Sequence, residues 1–380
     1  MFQTNLFSDV AEVESYIAGY PGAHALYRSF RPEWKTLVQD YFLSRRTLPL
    51  TYDPFFKRIF DADIHRDRLS RLISAILGQE VTVSDILPCE STQVKGNALL
   101  IMDIVVRLSD GSLTTVEIQK ISAAFPAERM SCYSADLLLR QYEQVKSRMK
   151  KDFSYSAMNK VYTIVIFENT DPVTTNAPVY RAFHEEHVSG LYLHHGKTVF
   201  NTGLNLEFLQ EFYLISLDVF REVGYAKDDS ELTAWLSLLV THTYEDAELL
   251  CSKYPWMEEI FREISEYVQN PEEVVRMFSE ALKMMDDNMY RFMSDQHIAL
   301  VNQQKTEIEE QKAEIEEQKV EIEEQKVEIE EQKAEIQNLY LFIINQLKQN
   351  NESKESVITK LQESFNLTPE QAESIVEANW

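Results

Sequence analysis

Asp103, Glu117 and Gln119 interrupt two apolar runs in the stretch IMDIVVRLSDGSLTTVEIQK, residues 101–120. The runs read as strands, in which side chains two apart share a face. An ionised carboxylate in such surroundings is costly unless something compensates it. The connection between the runs leaves two registers open. A two-residue Asp110-Gly111 turn pairs Asp103 with Ile118 and splits the acids between faces. A three-residue loop, Ser109-Asp110-Gly111 with Gly111 left-handed, pairs Leu108 with Ser112 and Asp103 with Glu117. The second register brings the two carboxylates within about 5 Å at their Cβ atoms. Carboxylates that close repel each other, and a divalent cation relieves the repulsion. Ligation by oxygen alone suits Mg²⁺ or Mn²⁺, which use few carboxylates plus waters and substrate phosphates. Such an ion activates water and stabilises the charge of a phosphoryl-transfer transition state.

The elements that must position these residues follow from periodicity. Residues 1–50 read as amphipathic helix, rich in aromatics such as Tyr27, Phe30, Trp34, Tyr41 and Phe42. In DPFFKRIFDADIHRDRLSRLISAILG, Phe56, Ile59 and Phe60, then Leu69, Leu72, Ile73, Ile76 and Leu77, recur at helical spacing. Asp53 is placed to cap this segment and Gly78 to stop it. Strands are expected at 81–87, 98–108 and 112–120, a helix at 126–150, and a buried strand in VYTIVIFE, 161–168. The last strand is reached through a helical crossover, so a parallel pairing is expected for it. Residues 178–202 look irregular with short strands, and 204–298, including LEFLQEFYLISLDVF, read as helical. The fold class is therefore α/β. Its segments are 1–50 helical, 51–202 the mixed-sheet core, 203–298 a helical extension, 299–350 heptads and 351–380 a helical tail.

The heptads are IEEQKAE, IEEQKVE, IEEQKVE and IEEQKAE, running from 308 to 335. Isoleucine at 308, 315, 322, 329 and 336 marks one position of a seven-residue repeat. With Ile at a, Gln falls at d, Lys at e and Glu at g. Glu–Lys pairs between chains then favour a parallel homodimer, on a seam thinned by the d glutamines. A solvated single helix is the other reading of the same pattern. In the tail, Thr368, Pro369 and Gln371 have the types and spacing of a capping box.

The formal net charge of −25, taken alone, argues against nucleic acid, yet it is unevenly spread. Residues 1–160 carry 20 Lys+Arg against 19 Asp+Glu, and residues 161–380 carry 17 against 43. The acidity belongs to the C-terminal part and leaves the front free to meet phosphate. Arg140, Lys146, Arg148, Lys150 and Lys151 make one helix end basic, fit either for a DNA backbone or for the helix dipole. Lys57, Arg129 and Gln141 are candidates for phosphate contact or support of the site. Three scattered cysteines point to a reducing compartment. With no long apolar run and no signal-like N-terminus, a cytoplasmic protein away from membranes is expected. His184 and His187 in HEEH lack the HExxH spacing of zinc proteases and read as a surface loop.

The pattern D-(x13)-E-x-Q, after a DPFFKRIF helix and before an ERMSCYSADLLLRQ helix, resembles the PD-(D/E)XK nuclease family transposases, the recombination-promoting nucleases of bacteria. The resemblance covers roughly residues 50–240. It implies a restriction-endonuclease-like αβββαβ core and Mg²⁺-dependent (or Mn²⁺-dependent) endonuclease cleavage of DNA. Carried onto this sequence, it makes Asp103 and Glu117 metal ligands, with Glu90 in LPCEST as a third. Gln119 stands where much of the wider superfamily has lysine. Lysine offers a cation to the reacting centre and glutamine only hydrogen bonds, so slower catalysis is expected. Alternation turns the adjacent Lys120 to the other face. The alternative is a nuclease fold with weak or lost catalysis, binding DNA or regulating while assembling through its coiled coil.

Overall fold

The computed structural model describes residues 6–90, 102–120, 127–173, 178–223 and 229–380, with backbone alone for 178–179 and 287–300. The chain divides into two compact units, Met1–Ser294 and Asp295–Trp380.

The first unit opens with helices α1 (Val10–Ala18), α2 (Pro21–Ser29) and α3 (Pro32–Phe42). The DPFFKRIF segment then gives two helices, α4 (Asp53–Ile59) and α5 (Arg66–Leu77). The break falls at DADI, where the Asp61 side chain takes the Asp63 N–H at 2.9 Å, so a turn competes with the helix. Gly78 ends α5 in the left-handed region, φ +67°. Strands β1 (Val83–Leu87), β2 (Ile104–Leu108) and β3 (Leu113–Gln119) follow, then α6 (Ala127–Met149), β4 (Val161–Phe167), β5 (Leu193–Lys197) and β6 (Gln210–Ser216). The first part of the strand expected over 98–108 and the start of the helix expected at 126 lie outside the described residues.

The six strands form one mixed sheet in the order β1-β2-β3-β4-β6-β5. β3 runs parallel to β4 across the α6 crossover, β4 parallel to β6, and the remaining neighbours are antiparallel. The αβββαβ order and the parallel β3–β4 pair match the reading of the sequence. The helical reading of LEFLQEFYLISLDVF does not hold. QEFYLIS is β6, a strand between β4 and β5, and only the residues after it become α7 (Leu217–Val223). Strand and helix abut without a break, and the apolar run 212–215 fills both faces of the strand, so the sequence lacks the period-two alternation that would betray it.

Alternation along the strands divides the sheet's two faces. Val105, Leu113, Val161, Val165 and Phe167 pack with Met130, Tyr133 and Leu137 of α6. Val106, Val116, Ile118, Ile164 and Ile166 face the larger core with Phe55, Phe56 and Ile59 of α4 and Leu69, Leu72 and Ile73 of α5. The N-terminal helices enter that core through Val38, Tyr41 and Phe42. So do α8 (Glu231–Val240), α9 (Tyr244–Lys253) and α10 (Glu258–Glu266), with Trp235 fully buried.

Helix α11 (Pro271–Gln349) carries the heptads. In the second unit its last turns, with α12 (Lys354–Phe365) and α13 (Pro369–Asn379), close a small core around Ile344, Val357, Leu361, Ala372 and Val376. The α13 capping box is present: the Thr368 hydroxyl accepts the Gln371 N–H and the Gln371 side chain accepts the Thr368 N–H. No helix among the described residues is long and apolar enough to cross a membrane.

Candidate functional site

The β2–β3 hairpin has the register that the three-residue loop demands. Ile104 pairs with Val116, Val105 with Thr115 and Val106 with Thr114. The Leu108 N–H donates to Ser112 O at 2.9 Å, and Gly111, at φ +89°, donates to Leu108 O. Glycine is needed at 111 twice over. Its φ disfavours any side chain, and a Cβ there would meet the Asn159 side-chain nitrogen at 2.4 Å.

This register sets Asp103 opposite Glu117, and each carboxylate bonds the other's strand. The Asp103 N–H donates to Glu117 Oε1 at 2.9 Å, and the Ile118 N–H donates to Asp103 Oδ2 at 2.9 Å. Thr115 Oγ1 also donates to Glu117 Oε1. Glu117 is only 1 % exposed. Its burial, and then the charge of Asp103, push its pKa well above the usual carboxylate range, against the hydrogen bonds from Asp103 and Thr115 and the charge of Arg129.

Helix α4 completes the group. Asp53 is its first residue rather than its cap, a place taken by Tyr52. Asp53 stands against Asp103, and burial together with that neighbouring charge raises its pKa to about 7. One turn on, Lys57 Nζ reaches Asp53 Oδ1 at 2.9 Å and Asp103 Oδ1 at 3.5 Å. Burial opposes the Lys57 charge, but Asp103 and Asp53 outweigh it and hold the ammonium protonated. Sequence reasoning missed Asp53 as a site residue. The signal available was Asp and Lys four apart at a helix start, which fixes both on one face.

The other named residues divide between site and scaffold. Gln119 is half-buried on the Glu117 side of β3, and its side-chain amide makes no hydrogen bond among the described residues. Arg129 donates to the Tyr133 hydroxyl at 2.7 Å and acts on Glu117 through its charge. Glu90 is exposed beyond β1, and its carbonyl accepts from Arg140 at 2.7 Å. Arg140 also holds Asp136 and Pro88 O, so it clamps α6 to the strand end. Gln141 is buried, donating to Gly111 O at 3.2 Å beneath the hairpin loop, and is no surface contact. Lys146, Arg148, Lys150 and Lys151 are exposed along the end of α6 and beyond it.

The donor set fits a hard divalent cation. It is all oxygen, and the charge of Asp103 bears on the buried Asp53, a repulsion that a divalent cation would relieve. Among the described residues no three Asp, Glu, His or Cys side chains are gathered into a cage. That suits an ion held by one or two carboxylates, with waters and substrate phosphate completing its shell. Asp103 and Glu117 are the residues to hold it, with Asp53 beside them.

The raised Asp53 pKa predicts a pH dependence. A carboxyl whose folded pKa lies above its unfolded value loses stability as pH rises from 3.8 towards about 7. In metal-free protein the stability gain from Asp53→Asn should therefore grow between roughly pH 4 and pH 7 and level off above, and added Mg²⁺ should shrink it. Thermal unfolding of both proteins across that range checks this. A gain that is flat with pH rules out the raised pKa.

The description PD-(D/E)XK nuclease family transposase belongs to a family model that matches residues 50–295, from the lead into α4 to within α11. That span exceeds the resemblance seen over 50–240 and takes in α9, α10 and the start of α11, whose residues join the larger core. No curated protein and no solved structure matches the chain. The family model covers well over half of the chain, together with the hairpin and helices that carry the carboxylates, and the chain belongs to the PD-(D/E)XK nuclease family transposases.

Proposed function

We propose that the protein is a metal-dependent DNA endonuclease in which Asp103 and Glu117 hold a divalent cation, Mg²⁺ or Mn²⁺. The carrying observation is the reciprocal bonding of these two carboxylates across β2 and β3, with Lys57 at 3.5 Å from Asp103. The bound ion would supply Lewis acidity at the phosphate and an activated water. The chain's own residues do the rest. Backbone N–H groups fix one oxygen of each carboxylate and leave the other for the ion, that of Asp103 beside Lys57. Thr115 holds the Glu117 rotamer. Lys57 supplies the cation that position 119 lacks, near enough to stabilise a developing oxyanion. The Gln119 amide is free to orient a water or a phosphate oxygen. Lys146, Arg148, Lys150 and Lys151 offer the duplex an electrostatic track. Purified protein with Mg²⁺ should nick plasmid DNA, and Asp103→Ala should not.

A second reading keeps the fold and loses the chemistry. It is favoured by Gln119, which cannot replace a charged lysine. Calorimetric titration with Mg²⁺ or Mn²⁺ separates the two, because an idle site takes up neither ion.

We also infer assembly as a homodimer through α11. Ile308, Ile315, Ile322, Ile329 and Ile336 are each about half exposed in the single chain, from 48 % to 52 %. A stripe of this spacing is covered by a second copy of itself, with Glu at g meeting Lys at e. Light scattering should give the mass of a dimer for the native chain. The triple change Ile315→Lys, Ile322→Lys, Ile329→Lys should halve it, and an unchanged mass would rule out this interface.

A further inference from the structure

On the other face of β3 lies a second charged group that the cleavage chemistry does not use. Lys120 Nζ donates to Glu168 Oε1 at 2.5 Å and to Thr51 Oγ1 at 3.3 Å, and stands 4.2 Å over the Tyr52 ring. Arg221 of α7 brings Nη2 to 3.9 Å from the same Glu168 oxygen. Arg46 joins them through the chain: the next residue, Thr47, donates its N–H to His242 O at 3.0 Å and its hydroxyl to Thr241 O at 3.1 Å. The His242 imidazole is held neutral, its pKa lowered to about 4 by burial and then by Arg221, Arg46 and Lys120, with Glu168 alone opposing them.

Two cations thus share one carboxylate, and the charge of Arg46 bears on the same Lys120 and His242. Among the described residues the Arg46 side chain has no ion pair or hydrogen bond of its own. The group is partly enclosed, with side-chain exposures of 21 % for Lys120, 34 % for Arg221 and 13 % for Glu168. Two positive charges in excess, half removed from water, are unfavourable without an anion to meet them. Two guanidinium forks and an ammonium are the donor set for phosphate. Glu168 anchors Lys120 and Arg221 in place before the anion arrives.

The group also adjoins the carboxylate site by two routes along the chain. Gln119 and Lys120 are consecutive on β3 and point to opposite faces. Thr51 bonds Lys120, and two residues later Asp53 bonds Lys57. The Glu168 N–H donates to Gln119 O at 2.9 Å and ties the ends of β3 and β4 together.

We propose that Arg46, Lys120 and Arg221 form a phosphate subsite that holds a backbone phosphate neighbouring the one cleaved at Asp103 and Glu117. This rests on the nuclease reading. Its value to the reaction is positional, since a second fixed phosphate sets the strand's direction across the carboxylates.

The test is binding of a fluorescent DNA duplex to the full chain without divalent ions, read by anisotropy over a range of salt. Arg46→Gln removes a guanidinium that holds no partner, so the fold is not at risk, and Arg46→Gln with Arg221→Gln removes both forks. The double variant should bind about tenfold more weakly, with a salt slope shallower by about one. Arg46→Lys should recover part of the loss. Equal affinity and slope in wild type and both variants overturn the subsite while plasmid nicking, measured in parallel, leaves the nuclease reading standing. Absence of both DNA binding and plasmid nicking by the wild type overturns both. A rise in Tm with inorganic phosphate, lost in Arg46→Gln while DNA binding is unaffected, assigns the site to a free phosphate and overturns its role in holding DNA.

Discussion

Asp103→Asn and Glu117→Gln should each reduce Mg²⁺-dependent DNA cleavage by on the order of 10³-fold, with no loss of thermal stability at neutral pH. Both replacements keep the acceptors that the fold uses. Asparagine can still accept the Ile118 N–H, and glutamine can still accept the Asp103 N–H and the Thr115 hydroxyl. What they remove is charge, the property a divalent cation needs. For Glu117 the sign can be worked out. Burial and the charge of Asp103 raise its pKa in the fold, so ionising it costs stability at every pH above its unfolded value. Glutamine removes that cost, and Glu117→Gln should melt higher than the native chain at pH 7 while cleaving far more slowly. A carboxylate retained for structure behaves the other way, with stability and activity falling together. Plasmid nicking and thermal unfolding of the same samples decide between them. Cleavage that survives both replacements would sink the assignment of the site.

Lys57→Met should slow cleavage by about a hundredfold, the usual scale for one electrostatic group at a reacting centre. It should also lower the Tm of the metal-free protein by several degrees. Lys57 stands between Asp53 and Asp103 and is the cation that offsets their repulsion. Methionine fills the same volume without the charge. Added Mg²⁺ should restore much of the Tm, since the ion also neutralises the carboxylates, but little of the rate, since it cannot replace an ammonium at the reacting phosphate. Lys57→Arg should keep part of both. A rate unchanged in Lys57→Met returns the burden of the missing lysine to Gln119. A Tm that Mg²⁺ does not raise points to a packing role for the Lys57 stem instead.

Much of this molecule could be read from local pattern. The capping box at Thr368 and Gln371, the α6 crossover and the apolar VYTIVIF strand each depend on residues close together in the chain, where propensity and spacing speak directly. The hairpin was legible down to a choice between two registers, because loop length alone relates the faces of two strands. Packing then selected the three-residue loop, with Asn159 against Gly111 and Gln141 beneath it. LEFLQEFYLISLDVF misled because its apolar run serves a strand and then a helix, and apolar residues occupy both faces of the strand although its burial alternates. Lys57 was legible as a basic residue on an apolar helix, but its place beside Asp103 was not, since the two are 46 positions apart. Asp53 and the Arg46–Lys120–Arg221 group were hidden for the same reason. Residue type and local spacing were enough to say which residues have the chemistry and on which strand or helix most of them sit. Which of them meet was not legible there, because contact between distant segments is set by how α4, β3, β4 and α7 pack, and no local period encodes that.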